Sequence, residues 1–181
     1  MNRRAAVLTA FFMLMAASFS FAETGGVMIR GTQKGSKPLG WAWLKDTEKG
    51  LRVVARVKGL PPGKHGFHIH QNGLCGEEGK KAGDHFNPDH LAHGLVLRDG
   101  LSAAHAGDLG NIKVGPDGIG ALDVVIPGLA LSGGKYSVGG RSFVVHEKED
   151  DFGQPAGNAG ARIGCGTIFL VAEADWKGDK G

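Results

Sequence analysis

The spacing of the histidines is the feature of this sequence that points most directly to chemistry. His68 and His70 stand two residues apart, immediately after a turn rich in proline and glycine at residues 61–63. On an extended strand, residues two apart point to the same face, so both imidazoles would face one point in space. Neutral imidazole is a preferred ligand of zinc and copper. The pair alone is weak evidence in a chain with eight histidines, so the positions of the other six decide.

The remaining histidines complete two candidate sets of metal ligands. A polar segment at residues 72–108 contains three histidines and one aspartate that match the composition of a tetrahedral zinc site, namely His85, His93, His105 and Asp108. The predicted strands contribute three imidazoles suited to copper, which prefers nitrogen-rich coordination, namely His68, His70 and His146. His85 is the natural shared member, because an imidazole has two nitrogens and can bind two metals when both are deprotonated.

The elements that must position these residues are short strands separated by turns. Strands are predicted at residues 27–30, 39–45, 51–57, 66–71, 111–114, 119–126, 142–146 and 163–172. The turn Gly115-Pro116-Asp117-Gly118 predicts a hairpin between the fifth and sixth strands. Two long polar loops, at residues 72–108 and 147–161, are predicted to be functional, because loops of that length are uncommon in compact domains.

This pattern predicts an all-β fold, a Greek-key β-sandwich or flattened barrel of about eight antiparallel strands with two long functional loops. Trp41 and Trp43 share one face of a strand. We expect them to pack into the core, and the alternative is an exposed contact with another copy.

The first 22 residues are predicted to be a secretory signal peptide. Basic residues at the start precede a short apolar run, and Ser20-Phe21-Ala22 places small residues where a signal peptidase reads them. We expect cleavage after Ala22, leaving one domain at residues 23–181 with no membrane span. A retained membrane helix is the alternative.

The charge balance excludes an obvious nucleic-acid partner. Removal of residues 1–22 takes away Arg3 and Arg4 and no acid, which leaves 19 basic and 18 acidic residues and lowers the net charge from +3 to +1. A nucleic-acid-binding domain would be expected to carry a clustered basic face.

The two cysteines, Cys75 and Cys165, are predicted to form a disulfide, because an exported chain meets an oxidising compartment. Closing so long a loop would stabilise the fold by roughly 4–5 kcal/mol in the chain-entropy model.

Six segments carry a resemblance to a known family. They are Gly66-Phe67-His68-Ile69-His70, His85-Phe86-Asn87-Pro88, His93-Gly94, His105-Ala106-Gly107-Asp108-Leu109-Gly110-Asn111, Val144-Val145-His146-Glu147-Lys148 and Gly157-Asn158-Ala159-Gly160-Ala161-Arg162-Ile163-Gly164-Cys165-Gly166. In this order, and over nearly all of residues 23–181, they resemble the copper/zinc superoxide dismutases, specifically the exported bacterial ones.

The resemblance implies a role for each matching residue. It implies that copper is bound by His68, His70, His85 and His146, and that zinc is bound by His85, His93, His105 and Asp108. His85 would bridge the two metals, and Arg162 would guide the anionic substrate to copper. Asp150 would link copper and zinc ligands from behind. Cys75 and Cys165 match the family's disulfide, and His65 matches a structural histidine.

Three features depart from the family pattern. The gap between His93 and His105 is longer than usual, and Gln71 stands where an acidic residue is common. The loop after Asp151 is short and lacks the charged segment of the animal enzymes. Electrostatic guidance would then come from other cations, for which Lys64, Lys80 and Lys81 are the candidates. His90 has no counterpart and is predicted to be a solvated loop residue.

The activity that the resemblance implies is dismutation of superoxide to molecular oxygen and hydrogen peroxide by one-electron Cu(II)/Cu(I) cycling, as antioxidant defence in the periplasm. His85 would exchange copper for a proton during the cycle. Superoxide would be the substrate, and the protein would act as a monomer or a homodimer.

Three other functions are weighed against this one. A copper- or zinc-buffering protein would explain the histidines but not Arg162. A cupin-type metalloenzyme normally has a glutamate four or five residues after its second histidine, where this chain has Leu74 and Cys75. A metal-free adhesion sandwich would leave seven potential ligands without a purpose.

Overall fold

The computed structural model describes residues 23–172. The predicted signal peptide lies outside these residues. Within them, nine strands are present: β1 (Thr24–Gly31), β2 (Pro38–Thr47), β3 (Gly50–Lys58), β4 (Gly63–His70), β5 (Asp108–Val114), β6 (Ile119–Ile126), β7 (Ser142–His146), β8 (Arg162–Thr167) and β9 (Phe169–Val171). A 3₁₀ helix (Lys80–Ala82) and the helix α1 (Val96–Asp99) lie in the first long loop.

The strands close into an antiparallel barrel. Their order is β2-β3-β6-β5-β4-β7-β8-β1-β9, and β1 also pairs with β2, which closes the ring. β9 lies beside the first residues of β1 and pairs with no other described strand. The pairing of β3 with β6 and of β4 with β7 joins strands that are not consecutive, as Greek-key connections do. The predicted all-β fold is therefore confirmed.

The predicted hairpin at residues 111–126 is also confirmed. Lys113 and Ala121 face each other across β5 and β6. The backbone N–H of Gly118 donates to the Gly115 carbonyl at 2.9 Å, closing the turn between the strands.

The alternation of residues fills the barrel with apolar side chains. On β1, Val27 and Ile29 point inward and are buried, whereas Met28 points outward and is 53% exposed. Phe67 of β4 and Phe143 of β7 stack at the centre, with ring centroids 4.8 Å apart. This core supports β4, the strand that carries His68 and His70.

The prediction that Trp41 and Trp43 belong to the core is wrong. Ala42 and Leu44 take the inward positions of β2 and are fully buried. The two tryptophans therefore lie on the outer face, half-buried, with ring centroids 6.5 Å apart. Two aromatic residues two apart define a face, but only their neighbours decide which face is inside.

The first long loop is attached to the barrel by the predicted disulfide. Cys75 and Cys165 are bonded, with Cα atoms 5.6 Å apart, and this joins the loop to β8. The longer gap between His93 and His105 is occupied in part by helix α1, which lets the chain return to the barrel at β5.

None of the helices within residues 23–172 has the length and apolar character needed to cross a bilayer.

Candidate metal centre

Four histidines from three parts of the chain meet at one end of the barrel. His68 and His70 lie on β4, His146 ends β7, and His85 follows the 3₁₀ helix and forms an isolated bridge with His70. One ring nitrogen from each lies within 4.8 Å of those of the other three. All four side chains are buried, and those of His68 and His70 fully so. This set has the composition expected for copper.

A second set shares His85 with the first. His85, His93, His105 and Asp108 also place one ligand atom each within 4.8 Å of one another. The Asp108 carboxylate is the centre of this set: it lies 2.8 Å from Nδ1 of both His85 and His93, and 3.2 Å from Nδ1 of His105. The backbone N–H of Gly94 also donates to it at 2.9 Å. Three imidazoles and one carboxylate are the ligand types of zinc.

Hydrogen bonds to the far side of each ring determine which nitrogen faces the centre. His70 Nδ1 donates to the Gly83 carbonyl at 2.9 Å, which leaves Nε2 for the first set. His146 Nδ1 lies 3.4 Å from the Gly160 carbonyl, so Nε2 is again the nitrogen that faces the first set. In the second set, His105 Nε2 donates to the Leu91 carbonyl at 3.1 Å, and Nδ1 faces Asp108.

Asp150 connects the two sets from behind. His68 Nε2 donates to its Oδ2 at 2.8 Å, and His93 Nε2 donates to its Oδ1 at 3.0 Å. Asp150 is itself fully buried and is held by Asn111, whose Oδ1 accepts from the Asp150 N–H at 2.8 Å and whose Nδ2 donates to the Asp150 carbonyl at 2.9 Å. Such bonds fix the orientation of metal-binding imidazoles.

The residues of both sets fit the binding of metal ions. His68 Nδ1 is buried without a hydrogen-bond partner, and so is His93 Nδ1, although it lies 2.8 Å from an Asp108 oxygen. Buried nitrogens are rarely left unpaired. Nitrogen and oxygen atoms that face one another without a hydrogen bond are what the coordination shell of an ion requires.

The protonation states of the first set also favour metal binding. Burial lowers the pKa of His68 to about 4, of His70 to about 2 and of His146 to about 3, so these rings are neutral near pH 7 and have free lone pairs. Burial opposes the charge of Asp108, but the neighbouring rings of His105, His85 and His93 outweigh it and hold the pKa of Asp108 well below its usual range.

Comparison with known proteins decides the family. The model of the copper/zinc superoxide dismutase family matches residues 39–168. The chain belongs to this family. It is 45% identical over 130 residues to an extracellular superoxide dismutase [Cu-Zn] of Caenorhabditis elegans, covering 68% of this chain and 57% of that protein. It is 39% identical over 142 residues to superoxide dismutase [Cu-Zn] 3 of Arabidopsis thaliana, covering 75% of this chain and 84% of that protein.

Solved structures confirm the fold. The barrel is similar to that of a double mutant of a SOD-like protein from Bacillus subtilis, with a TM-score of 0.70 and 35% identity over 80% of this chain and 96% of that one. It is also similar to the clock protein EA4, with a TM-score of 0.73 and 31% identity over 87% of this chain and all of that one. As a member of the copper/zinc superoxide dismutase family, the chain is an oxidoreductase whose cofactors are copper and zinc.

A cavity of about 640 Å³ leads to the first set of histidines. Its lining includes His85 and His146 together with Asp84 and Arg162. Arg162 is anchored by the first long loop: its Nη1 donates to the Gly79 carbonyl at 2.8 Å and lies 3.4 Å from the Lys80 carbonyl. The predicted guiding residue therefore lies at the cavity that gives access to the first set.

The other residues singled out in the sequence lie around the centre. His65 is buried between the carbonyls of His146 and Pro61, at 2.9 and 3.0 Å. His90 is exposed and belongs to neither set. Of the candidate guiding cations, Lys64 pairs with Glu149 at 2.6 Å and Lys81 with Glu77 at 3.1 Å.

Two amides that support the metal centre are not identified by the spacing of residues in the sequence. Asn111 lies within a segment that carries the resemblance, but the resemblance implies no role for it. Gln154 bonds to both backbone groups of His93. No spacing rule identifies a loop glutamine as a partner of a histidine 61 residues away, so only the three-dimensional structure could reveal it.

Proposed function

We propose that this chain dismutates superoxide at the two histidine sets, with His68, His70, His85 and His146 holding copper and His85, His93, His105 and Asp108 holding zinc. When bound there, copper would supply one-electron cycling between Cu(II) and Cu(I), and zinc would be redox-inert. Two superoxide ions and two protons would yield one oxygen molecule and one hydrogen peroxide. The observation that carries this proposal is the position of His85, which belongs to both sets.

His85 is the residue we propose to move a proton. Its Nδ1 lies 2.8 Å from the Asp108 carboxylate, so that nitrogen is committed to the second set. Its Nε2 is then the nitrogen left for the first set, beside the cavity that His85 lines. A ring held firmly at Nδ1 can take up a proton at Nε2 and return it to the peroxide product without changing its orientation.

Arg162 is the residue we propose to draw the anion into the cavity. Burial lowers its pKa, but a guanidinium remains protonated at any relevant pH. Only Nη1 bonds to the loop carbonyls within the described residues, which leaves Nε and Nη2 to contact superoxide. Its fixed charge would raise the local concentration of a small anion.

We further propose that residues 1–22 are a cleaved signal peptide and that residues 23–181 act in the periplasm. The disulfide and the extracellular relative support export. Mass analysis of protein recovered from the periplasm would test cleavage after Ala22. Association into a homodimer remains a prediction of the resemblance, which sedimentation velocity tests.

The decisive experiment combines metal analysis with a superoxide-consumption assay. The purified protein should contain about one copper and one zinc per chain and dismutate superoxide rapidly. His70→Ala should lose copper and activity. Arg162→Ala should keep both metals and lose at least about tenfold in activity. Zinc alone, with no activity, would contradict the proposal and favour a metal-buffering protein.

A further inference from the structure

A carboxylate lies at the mouth of a cavity that is proposed to receive an anion. Asp84 directly precedes His85 and lines the same cavity as Arg162. Its backbone is fixed, because its carbonyl accepts from the Gln71 N–H at 2.9 Å and the next residue bridges to His70. Its side chain is exposed and forms no hydrogen bond or ion pair with any residue in the described part of the chain. The negative charge of Asp84 is therefore not neutralised by a direct contact within residues 23–172.

Asp84 and Arg162 line the same cavity, so the charge of each acts on the other across it. Burial lowers the pKa of the Arg162 guanidinium, and the charge of Asp84 acts in the opposite direction. An anion that approaches Arg162 through the cavity meets the field of both groups. The attraction that Arg162 exerts is thus reduced at this entrance by a carboxylate.

The size of this reduction depends on the charge of the anion. Coulomb energy is proportional to the charge of the approaching ion, so the repulsion by Asp84 is twice as large for a dianion as for a monoanion at the same point. Removing the carboxylate should therefore change the affinity for a monoanion by some factor, and that for a dianion by about the square of this factor.

We propose that Asp84 is a specificity-determining residue that favours superoxide, a monoanion, over polyvalent anions that compete for Arg162. The physiological meaning of this inference rests on the proposed dismutation. The anion-binding effect itself depends only on Asp84, Arg162 and the cavity that both line.

The test compares Asp84→Asn with a variant that loses the same charge elsewhere. Glu48→Gln serves as the control, because Glu48 is exposed in the turn between β2 and β3 and does not line the cavity. Each protein is reduced with ascorbate, so that any copper present is diamagnetic. Nitrate and phosphate are then titrated at pH 8, where phosphate is mainly a dianion, while the NMR signal of the Arg162 Nε–H is followed.

The expected result is a difference between the two anions. For charges near a protein surface, Asp84→Asn should tighten nitrate binding about two- to threefold and phosphate binding about four- to ninefold. Phosphate should inhibit superoxide consumption more strongly by a similar factor, and Glu48→Gln should behave as the unmodified protein.

Three results would overturn the inference. They are equal changes for nitrate and phosphate, no change relative to Glu48→Gln, and no phosphate binding at Arg162 in either protein. The titration needs no turnover. Absence of dismutation with the expected anion binding would therefore count against the proposed function and not against the role of Asp84.

Discussion

Gln154 holds the backbone of His93 on both sides. Its Oε1 accepts a hydrogen bond from the His93 N–H at 3.0 Å, and its Nε2 donates to the His93 carbonyl at 2.8 Å. The two residues belong to different long loops, so this pair joins the second loop to the ligand set around Asp108. The orientation of His93 is thus fixed through its main chain as well as through its ring.

We expect Gln154→Leu to weaken zinc binding. Leucine removes both hydrogen bonds to the His93 backbone, and losing an orienting partner typically costs about 10- to 100-fold in metal affinity. Copper binding should change less, because His93 is not in the first set. Competition titrations with a zinc chelator would measure the effect, with Gln33→Leu, on an exposed glutamine, as control. An unchanged zinc affinity would contradict this role.

Replacement of Asp150 should affect both metals. In Asp150→Asn, the amide nitrogen cannot accept a hydrogen bond, so the two Nε2–H donors of His68 and His93 compete for one oxygen. Copper and zinc affinities should both fall about 10- to 100-fold. Asp151→Asn is the matched control, because Asp151 is adjacent and exposed. Loss of only one metal would show that Asp150 does not link the sets.

Gly157 should tolerate no side chain. A Cβ there would lie 2.0 Å from Asp150 Oδ1 and 2.7 Å from His93 Nε2, and its φ is 78°. Gly157→Ala should therefore release both metals and lower the unfolding free energy of the metal-loaded protein.

Gly134→Ala is the control that separates the cost of a left-handed backbone conformation from the cost of a steric clash at the new Cβ. Gly134 has a similar φ of 81°, but nothing lies within 4 Å of the point that a Cβ would occupy there. This variant should lose only about 1 kcal/mol, the typical cost of the left-handed conformation, and keep both metals. Thermal melts and metal analysis of Gly157→Ala and Gly134→Ala would measure stability and metal content. Equal metal loss in the two variants would contradict the role assigned to Gly157.

Removal of the disulfide should have two effects, a lower unfolding free energy and a lower activity of the folded protein. Cys75→Ser opens a link between residues 90 apart, and losing a native disulfide typically costs about 2–5 kcal/mol of unfolding free energy. The loop that carries the Gly79 carbonyl is then less firmly held, so Arg162 loses its fixed orientation. Denaturant titration and the activity of the folded, metal-loaded variant would measure the two effects. Full activity despite lower stability would mean that the disulfide does not position Arg162.

The strands could be predicted because their signals are local, and the two ligand sets because only a few residue types bind copper or zinc. The two-residue spacing of His68 and His70 defines a strand face, and the Gly115–Gly118 turn defines a hairpin. The sharing of His85 followed from the chemistry of its ring. Arg162 and Asp150, by contrast, were singled out only through the resemblance to a family.

Features that depend on distant contacts could not be predicted from spacing. Gln154 reaches His93 only after the second loop has folded over the first. Asp84 and Arg162 are 78 positions apart in the sequence, and only the folded chain brings both to the same cavity. The outward position of Trp41 was decided by the inward packing of Ala42 and Leu44, and a single strand pattern cannot distinguish these two arrangements.

The closed ring of strands also bears on self-association. An unpaired strand edge is a template on which another chain can add, leading to aggregation. Among the described residues, the ring pairs every long strand on both sides and leaves the outer side of β9, a strand of three residues, without a partner strand. So short an edge offers few backbone groups to an incoming strand, which gives the chain a built-in resistance to polymerisation at high concentration.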